Sequence, residues 1–468
     1  MVSAPCRGRL RTPFGLKTRR KTRMLIRLVA LAALFGMLFG FDEGVIAGAL
    51  PLITKTFDIS ATGEGFMTAA VPLGAVAGAI LAAMYADSLG RRKVLMMCSL
   101  VFAFGAVAAG SATSEEILVG ARLMLGLAIG ASALAAPMFL AELAPAKYRG
   151  AVVSAFQLMI TVGILTSYLV DMVLEPHGAW RWMLALGAVP ALVCFTGIIF
   201  SPESPRWLTM KGARDKAIEV VSLIQPDLSR EQATHVVAEI EQAKAAGGAE
   251  PGWTAFLSDN VRPLVIFTIA AFVLQQVSGI NAVIYYAPII MKDAGFDGSS
   301  SQLAATVGIG VVNVLMTVVA MFVVDRFGRR PLLILGFIGT ALSLVVISFA
   351  MQPDKPELAP LALTALFAYI AFFAVSLGPL PWLYMSELFP LALRSRGMAM
   401  ASVANWSFNF IVVFAFPVVL AHFGAVVTFA IFGIFCTIGA IFSWFYAPET
   451  KGVSLEEIEM QHSPAAAT

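Results

Sequence analysis

The sequence predicts an all-α membrane protein in which twelve transmembrane helices form two related six-helix halves. Three observations predict this fold class: an apolar composition, twelve apolar runs of membrane-spanning length, and motifs that occur once in each half. Of the 468 residues, 59% are hydrophobic and 13% are charged. Soluble domains carry roughly 25% charged residues, so the composition excludes an ordinary soluble protein.

Each of the twelve apolar runs is long enough to cross a bilayer as a helix. Their predicted limits are about 25–50, 63–86, 94–113, 117–140, 150–174 and 181–200, and then about 261–291, 301–324, 331–351, 358–386, 397–421 and 425–446. Several runs are rich in glycine and alanine, which let helices approach closely in a membrane.

These spans divide the chain into five predicted regions. A basic tail (1–23) is followed by a six-helix bundle (24–200), a linker (201–260), a second bundle (261–446) and a C-terminal tail (447–468). A basic tail before an apolar run is also typical of a signal peptide, but this run continues beyond signal-peptide length, which favours a first membrane span.

The linker shows apolar residues at helical spacing, for example Ala217, Val221 and Ile224. This pattern predicts short amphipathic helices beneath the bundle. A flexible linker is the alternative, and Trp207 together with the periodicity argues against it.

Lysine and arginine are concentrated in the short loops on one side of the predicted membrane. That side contains Arg91-Arg92-Lys93, whereas the opposite loops contain Lys55, Lys292, Lys355 and little else. Because cytoplasmic loops carry an excess of these residues, we expect both termini and the linker to be cytoplasmic.

Three motifs recur at matching span boundaries in the two halves. They are Asp87-Ser-Leu-Gly-Arg-Arg92 with Asp325-Arg-Phe-Gly-Arg-Arg330, Glu142-Leu-Ala-Pro with Glu387-Leu-Phe-Pro, and Pro202-Glu203-Ser204 with Pro448-Glu449-Thr450. A duplicated order of this kind predicts two six-helix halves in parallel orientation.

The seventh run contains three amides inside an apolar segment: Gln275, Gln276 and Asn281. Amides are costly to bury in hydrocarbon unless they are paired, so they should face the protein interior or a watery cavity. Gly279 and Pro288 allow the helix to unwind and bring the amides together. A broken helix with uncharged hydrogen-bonding groups near mid-membrane is typical of a transporter for a neutral polyol.

Five motifs together carry a family resemblance over about residues 25–455: the two Asp-to-Arg-Arg motifs, Pro202-Glu-Ser-Pro-Arg206, Gln275-Gln276…Gly279-Ile-Asn281 and Pro448-Glu-Thr-Lys-Gly452. In this order they resemble the sugar porters of the major facilitator superfamily. Among these, the chain is most similar to bacterial proton-coupled symporters for galactose, arabinose and xylose.

The resemblance implies a set of sugar-binding residues. They are Gln157, Gln275, Gln276, Asn281, Asn313 and Trp382, with Phe39, Trp406 and Asn409 as less closely matching pocket positions. The chemistry agrees, because amides bind adjacent hydroxyls and an indole face covers the C–H side of a pyranose. For any one amide, the alternative is a hydrogen bond between helices. For Trp382, it is ordinary or interfacial packing.

Asp42 and Arg122 each lie within an apolar run, where an unpaired charge is costly. Their depths along the helices allow the long arginine side chain to reach the carboxyl. The resemblance implies that they pair in proton symporters, whereas facilitative glucose transporters have Asn in place of the acid. The alternative is a static salt bridge, or an arginine that extends outward. Glu43 points elsewhere on a straight helix and is assigned no role.

The resemblance also implies a cytoplasmic latch, formed by ion pairs that hold the cytoplasmic side shut while the outer side is open. Its predicted members are Asp87, Arg91, Arg92, Glu142, Arg149, Glu203, Arg206, Asp325, Arg329, Arg330, Glu387, Arg394 and Glu449. The alternative is that the arginines serve only membrane topology.

The leading functional hypothesis is proton-coupled import of a neutral monosaccharide by alternating access, through the plasma (inner) membrane. Asn405-Trp406 and Asn409 resemble the hexose symporters more than the xylose symporter, which implies a hexose such as D-glucose or D-galactose. A uniporter, or a symporter for a pentose or inositol, is the alternative.

A membrane-bound enzyme is not supported, since the four histidines are scattered and no paired-acid or metal-ligand pattern occurs. A sugar sensor is less favoured, because it would carry a long cytoplasmic extension and the tail after Glu459 is short. We expect no cofactor or metal, only a proton as coupling ion, no nucleic-acid partner, and a functional monomer.

Overall fold

The computed structural model describes residues 14–144, 149–246, 253–352, 354–389 and 393–451. Within these ranges every regular element is helical. Eleven of the described helices are long and apolar enough to cross a membrane. The last of them is two spans, because α18 is interrupted at Gly424, whose φ of 76° and ψ of 170° are not helical. Twelve crossings result, as the sequence predicts.

The first half consists of α1 to α7. These helices are α1 (Phe14–Phe57), α2 (Ala61–Leu89), α3 (Arg91–Gly110), α4 (Glu115–Leu143), α5 (Arg149–Leu174), α6 (Trp180–Ala185) and α7 (Ala188–Ile199). Helices α6 and α7 together form the sixth span. Helix α1 begins inside the segment predicted as a tail, and residues 1–13 lie outside the described structure.

Three α-helices connect the halves: α8 (Pro205–Met210), α9 (Arg214–Ile224) and α10 (Arg230–Ala246). A 3₁₀ helix at Trp253–Leu257 precedes the second half. They share a small core of their own that includes Leu208, Ala217, Val221 and Val237. The amphipathic helices expected from the periodicity are therefore present. The end of the bundle that carries them is called the linker side below, and the opposite end the far side.

The second half is more broken than the first. It consists of α11 (Arg262–Val277), α12 (Ile280–Tyr285), α13 (Ala287–Asp293), α14 (Ser299–Phe327), α15 (Arg329–Ala350), α16 (Ala359–Phe372), α17 (Leu380–Glu387) and α18 (Arg394–Tyr446). The seventh span is divided among α11, α12 and α13. A π-helical turn at Phe373–Leu377 separates α16 from α17 in the tenth span.

A ladder of glycines joins α1 to α5. Gly36, Gly40, Gly44 and Gly48 recur every four residues and so lie on one face of α1. A Cβ atom at Gly40 would lie 1.8 Å from the carbonyl oxygen of Ile160. Only residues without a side chain allow this approach, and close packing is what holds helices together in a membrane.

The two halves touch each other on the far side. A Cβ at Gly65 of α2 would lie 2.4 Å from the carbonyl oxygen of Phe414 in α18. Tyr168 of α5 donates a hydrogen bond of 2.9 Å to the carbonyl oxygen of Ile284 in α12. Both contacts lie in the parts of these helices that run towards the far side, so the bundle is closed at that end.

The outer surface of the bundle is apolar. Large side chains such as Phe104, Val173, Phe322 and Leu342 are exposed on the spanning helices. In a soluble protein such a surface would drive association. Here it is the surface that meets lipid.

Candidate functional site

The break in the seventh span gathers polar groups at the centre of the molecule. Gly279 has a φ of 90°, a left-handed conformation that glycine adopts without strain. A Cβ there would also lie 2.4 Å from the ring of Phe432. The helix therefore ends at Val277 and restarts at Ile280, which turns Asn281 towards the amides that precede the break.

Three amides form a buried chain of hydrogen bonds across the seventh and eleventh spans. The Asn281 Nδ2 donates to Gln276 Oε1 over 2.8 Å, and Gln276 Nε2 donates to Asn405 Oδ1 over 2.7 Å. Gln276 thus joins Asn281, another predicted sugar-binding residue, to Asn405, which was predicted only as an indicator of substrate preference.

Gln275 points to the tenth span instead. Its Nε2 donates to the carbonyl oxygens of Leu377 at 2.6 Å and Gly378 at 3.3 Å. Both carbonyls lie at the end of the π-helical turn, just before Pro379. The Oε1 of Gln275 is buried and has no partner.

Several polar atoms near this cluster are buried and unsatisfied. They are Gln275 Oε1, Ser402 Oγ, Trp406 Nε1 and Asn409 Oδ1. A buried donor or acceptor without a partner costs about 1–3 kcal/mol. These are therefore groups that a hydroxylated ligand could satisfy.

Aromatic side chains stand beside these atoms. The ring of Trp406 is buried, and its centroid lies 5.5 Å from that of Phe39 on α1. Trp382 on α17 is half-buried and packs edge-on against Phe272 at 5.0 Å. The Phe39–Trp406 contact joins the two halves of the molecule.

The remaining predicted sugar residues are less closely connected. Gln157 of α5 is half-buried and Asn313 of α14 is buried. Within the described structure, neither side chain forms a hydrogen bond with the chain of three amides.

Asp42 and Arg122 are both buried but do not form a direct ion pair. Among the described salt bridges, none joins them within 4.0 Å. Arg122 instead donates through Nε to the carbonyl oxygen of Met67 at 2.9 Å and through NH2 to that of Thr68 at 3.4 Å. The NH1 of Arg122 and Oδ2 of Asp42 have no partner. The two groups still attract each other electrostatically.

Two further acids lie in the same region. Glu43 is buried rather than turned away, and Tyr285 donates to its Oε1 over 3.5 Å. Asp171 of α5 is fully buried, and its Oδ2 accepts from the backbone N–H of Gly48 at 3.1 Å. Asp171 was not among the residues predicted from the sequence, although an acid inside the apolar run at 150–174 was the available signal.

At the linker side, the same arrangement occurs twice. Arg91 contacts Asp87 at 2.6 Å and Glu142 at 3.4 Å. Arg329 contacts the equivalent acids Asp325 and Glu387, both at 3.1 Å. Each of these ion pairs joins two residues of the same half.

In each half, a glutamate near the end of the half caps the N-terminus of the helix that begins at the Arg-Arg pair. Glu449 accepts from the backbone N–H groups of Arg329 at 3.0 Å and Arg330 at 3.2 Å, and Glu203 accepts from that of Arg92 at 3.2 Å. Partial burial opposes ionisation of Glu449, but the N–H groups of Lys451, Arg329 and Arg330 prevail and lower the pKa of its carboxyl. A carboxylate at a helix N-terminus is favoured by the exposed N–H groups and the helix dipole.

Other members of the predicted latch are placed less fully. The side chain of Arg330 donates to the carbonyl oxygen of Trp444 at 2.8 Å, and Arg206 is exposed. The side chains of Arg149 and Arg394 lie outside the described structure.

Comparisons with known proteins agree with this architecture. The family model described as "Sugar (and other) transporter" matches residues 28–461. The chain is 38% identical over 451 residues to the galactose-proton symporter of Escherichia coli (strain K12), covering 96% of both proteins. It is 39% identical over 436 residues to a D-xylose transporter of Levilactobacillus brevis, covering 91% of this chain and 93% of the relative.

A solved structure matches as well. It is the major facilitator superfamily proton:xylose symporter XylE bound to 6-bromo-6-deoxy-D-glucose, with a TM-score of 0.81 and 31% sequence identity. The match covers 94% of this chain and 100% of the symporter. With the duplicated halves and the broken seventh span, these matches show that the chain belongs to the sugar transporters of the major facilitator superfamily.

Proposed function

We propose that the protein is a secondary active transporter that imports a neutral monosaccharide together with a proton, by alternating exposure of one central site. The observation that carries the proposal is the buried chain of Asn281, Gln276 and Asn405, placed beside unsatisfied polar atoms of both the seventh and eleventh spans. Members of this family are transporters, which leaves no support for the membrane-bound enzyme considered from the sequence.

The proposed sugar site combines amides with aromatic faces. Gln275, Gln276, Asn281 and Asn409 supply donors and acceptors for hydroxyls, and Trp406 supplies a face and an unsatisfied N–H. Uncharged groups of this kind suit a neutral polyol rather than an ion. Gln157, Asn313, Trp382 and Phe39 complete the proposed set from the surrounding helices.

Proton coupling is proposed to depend on Asp42. Its carboxyl is buried, has an unpartnered oxygen and is attracted by Arg122 without touching it. A small change in the distance to Arg122 or in access to water would then alter its proton affinity. This is the property that a coupling acid requires.

The linker side is proposed to be the cytoplasmic side, with both termini in the cytoplasm and the protein in the plasma (inner) membrane. The concentration of arginine at this side supports the orientation. We propose that the ion pairs around Arg91 and Arg329 brace each half and form the latch when the halves close on that side. We expect a monomer to be the functional unit.

A hexose such as D-glucose or D-galactose is the proposed substrate. The Asn405-Trp406 and Asn409 pattern and the similarity to a galactose-proton symporter support this choice. D-xylose is the second candidate, favoured by the similarity to the D-xylose transporter and to XylE.

Uptake of a radiolabelled sugar panel by transporter-deficient cells tests the proposal. We expect accumulation of a hexose that is lost when a protonophore collapses the proton gradient. Uptake that only equilibrates, with or without the protonophore, would instead show a uniporter. No uptake of any neutral monosaccharide would reject the substrate class.

A further inference from the structure

The region around Asp42 contains more buried acid than buried base. Asp42 (4% exposed), Glu43 (7%) and Asp171 (0%) are buried, and the one buried cation that interacts with any of them is Arg122 (1%), which attracts Asp42. Burying an unpaired carboxylate costs several kcal/mol, so an acid without a cation keeps its proton instead. One guanidinium can balance only one of the three acids. Two of the three are therefore neutral in this arrangement.

Glu43 is one of the neutral acids. Within the described structure no salt bridge reaches it within 4.0 Å, and its hydrogen bond comes from the Tyr285 hydroxyl at 3.5 Å. Arg122 is committed to the carbonyl oxygens of Met67 and Thr68 and attracts Asp42. One long hydrogen bond from a neutral hydroxyl is not enough to hold a buried carboxylate.

The titratable and charged groups around Glu43 belong to five helices of the two halves. Asp42 on α1, Tyr168 on α5 and Tyr285 on α12 interact with Glu43 itself. Around these groups lie Arg122 on α4, which interacts with Asp42 and Tyr285, and Asp171 on α5, which interacts with Tyr168. Tyr286 at the end of α12 interacts with Arg122, and with Glu64 and Thr68 on α2. Arg122 is the only cation in this set. The acid in the next position, Asp42, repels a negative charge on Glu43.

The Glu43–Tyr285 bond joins the two halves of the transporter. Glu43 lies on α1 of the first half and Tyr285 on α12 of the second, beyond the break at Gly279. Asp171 is different, because its partner Gly48 belongs to the same half. In alternating access, opening of the far side would separate Glu43 from Tyr285 and admit water to Glu43, but would leave the Asp171–Gly48 contact intact.

We propose that Glu43 is a second proton-binding residue of the transport cycle. It takes up one proton from the water on the far side each time that side closes. It returns this proton to the same water when that side opens. The proposal rests on the alternating access described under Proposed function. Because the proton returns to the side it came from, Glu43 adds none to the number carried with each sugar. It makes closure of the far side depend on the pH of that side.

Sugar exchange in proteoliposomes, with equal pH and equal sugar on both sides, tests this proposal. Exchange of radiolabelled D-galactose and D-glucose is measured between about pH 6 and about pH 9 in Asp42→Asn, so that Asp42 itself no longer titrates. We expect the remaining exchange to be at least about fivefold slower at the alkaline end of this range than at the acidic end. The reason is that the protonated fraction of Glu43, which closure requires, falls by up to about tenfold per pH unit. In Asp42→Asn/Glu43→Gln the profile becomes flat, and in Asp42→Asn/Glu43→Asp the dependence returns.

The matched control is Asp42→Asn/Asp171→Asn, which removes a buried acid within one half and should follow the profile of Asp42→Asn. A flat profile in Asp42→Asn itself overturns the proposal, and this result needs no variant at Glu43. An unchanged slope after Glu43→Gln also overturns it. Failure of the proposed function is seen separately, as absence of proton-driven accumulation by the wild-type protein, because exchange does not require coupling.

Discussion

The amides of the seventh and eleventh spans hydrogen-bond to one another, and this determines what each contributes to binding. Gln276 both accepts from Asn281 and donates to Asn405. A sugar hydroxyl that enters must exchange for one of these bonds rather than add to them. Each amide is therefore expected to contribute a modest net free energy of binding.

Replacing Gln276 or Asn281 by alanine should weaken sugar binding by about 1–3 kcal/mol, because the sugar hydroxyl that the amide binds is left buried and unpaired in the complex. Affinity can be measured by isothermal titration or by the fluorescence change of the buried tryptophans. Gln302→Ala, in α14 near the far side, removes a half-buried amide that bonds to Phe296 and serves as the control. Unchanged affinity in both variants would place the sugar site elsewhere.

Replacing Asp42 by asparagine should abolish accumulation against a gradient while sugar exchange continues. The reason is that asparagine resembles the protonated carboxyl and cannot release a proton. Uptake and exchange are compared in the same vesicles, with Asp354→Asn in an exposed loop as the control. If Asp42→Asn still accumulates sugar, Asp42 is not the coupling acid.

At the scale of helices, the glycine ladder of α1 explains how the first and fifth spans pack so closely. Gly40→Ala should destabilise the protein by about 1–3 kcal/mol, because the new methyl group would overlap the backbone carbonyl of Ile160. The control is Gly120→Ala in α4, where no atom lies within 4 Å of the new Cβ. There the gain in helix propensity should stabilise by up to about 1 kcal/mol. Equal melting temperatures for the two variants would contradict the proposed packing.

The helix cap at Glu449 has a pH dependence whose sign follows from its lowered pKa. A carboxyl whose pKa is lower in the folded protein stabilises it above the unfolded value, about 4.3, and loses this effect as the pH falls through the folded value. Because Glu449 is exposed, its contribution should be small, about 0.5 kcal/mol.

Glu449→Gln should therefore lower the melting temperature slightly at neutral pH, and the difference from wild type should shrink as the pH falls below about 4.3. Thermal unfolding of the purified protein in detergent measures this, with Glu357→Gln on the far side as a control in an exposed position. A difference that persists or grows in acid would rule out the cap as its source.

At the scale of the whole molecule, the twelve spans, the duplicated motifs and the linker helices were all predictable from the sequence. Each depends on local periodicity or on motif order, which the chain carries along its length. The break of the seventh span was predictable for the same reason, because Gly279 and Pro288 act through their own backbone geometry.

The geometry around Asp42 was not predictable in this way. Depth along a helix follows from residue count, but the distance from Asp42 to Arg122 depends on how α1, α2 and α4 are rotated about their axes. The same holds for Glu43. On a straight helix it would point away from Asp42 and its neighbours, but in the structure it lies against Tyr285 of the other half. Contacts between distant helices are set by tertiary packing, which no local pattern encodes.

The structure is closed on the far side through contacts such as Tyr168 with Ile284, and the linker-side ion pairs remain within each half.

The most direct test of the account is sugar accumulation by the purified protein in proteoliposomes. With labelled hexose initially equal on both sides, an imposed proton gradient, acidic on the far side of the protein, should drive the sugar into the linker-side compartment. A sugar concentration that stays equal on both sides, in vesicles that do exchange sugar, would contradict proton-coupled transport.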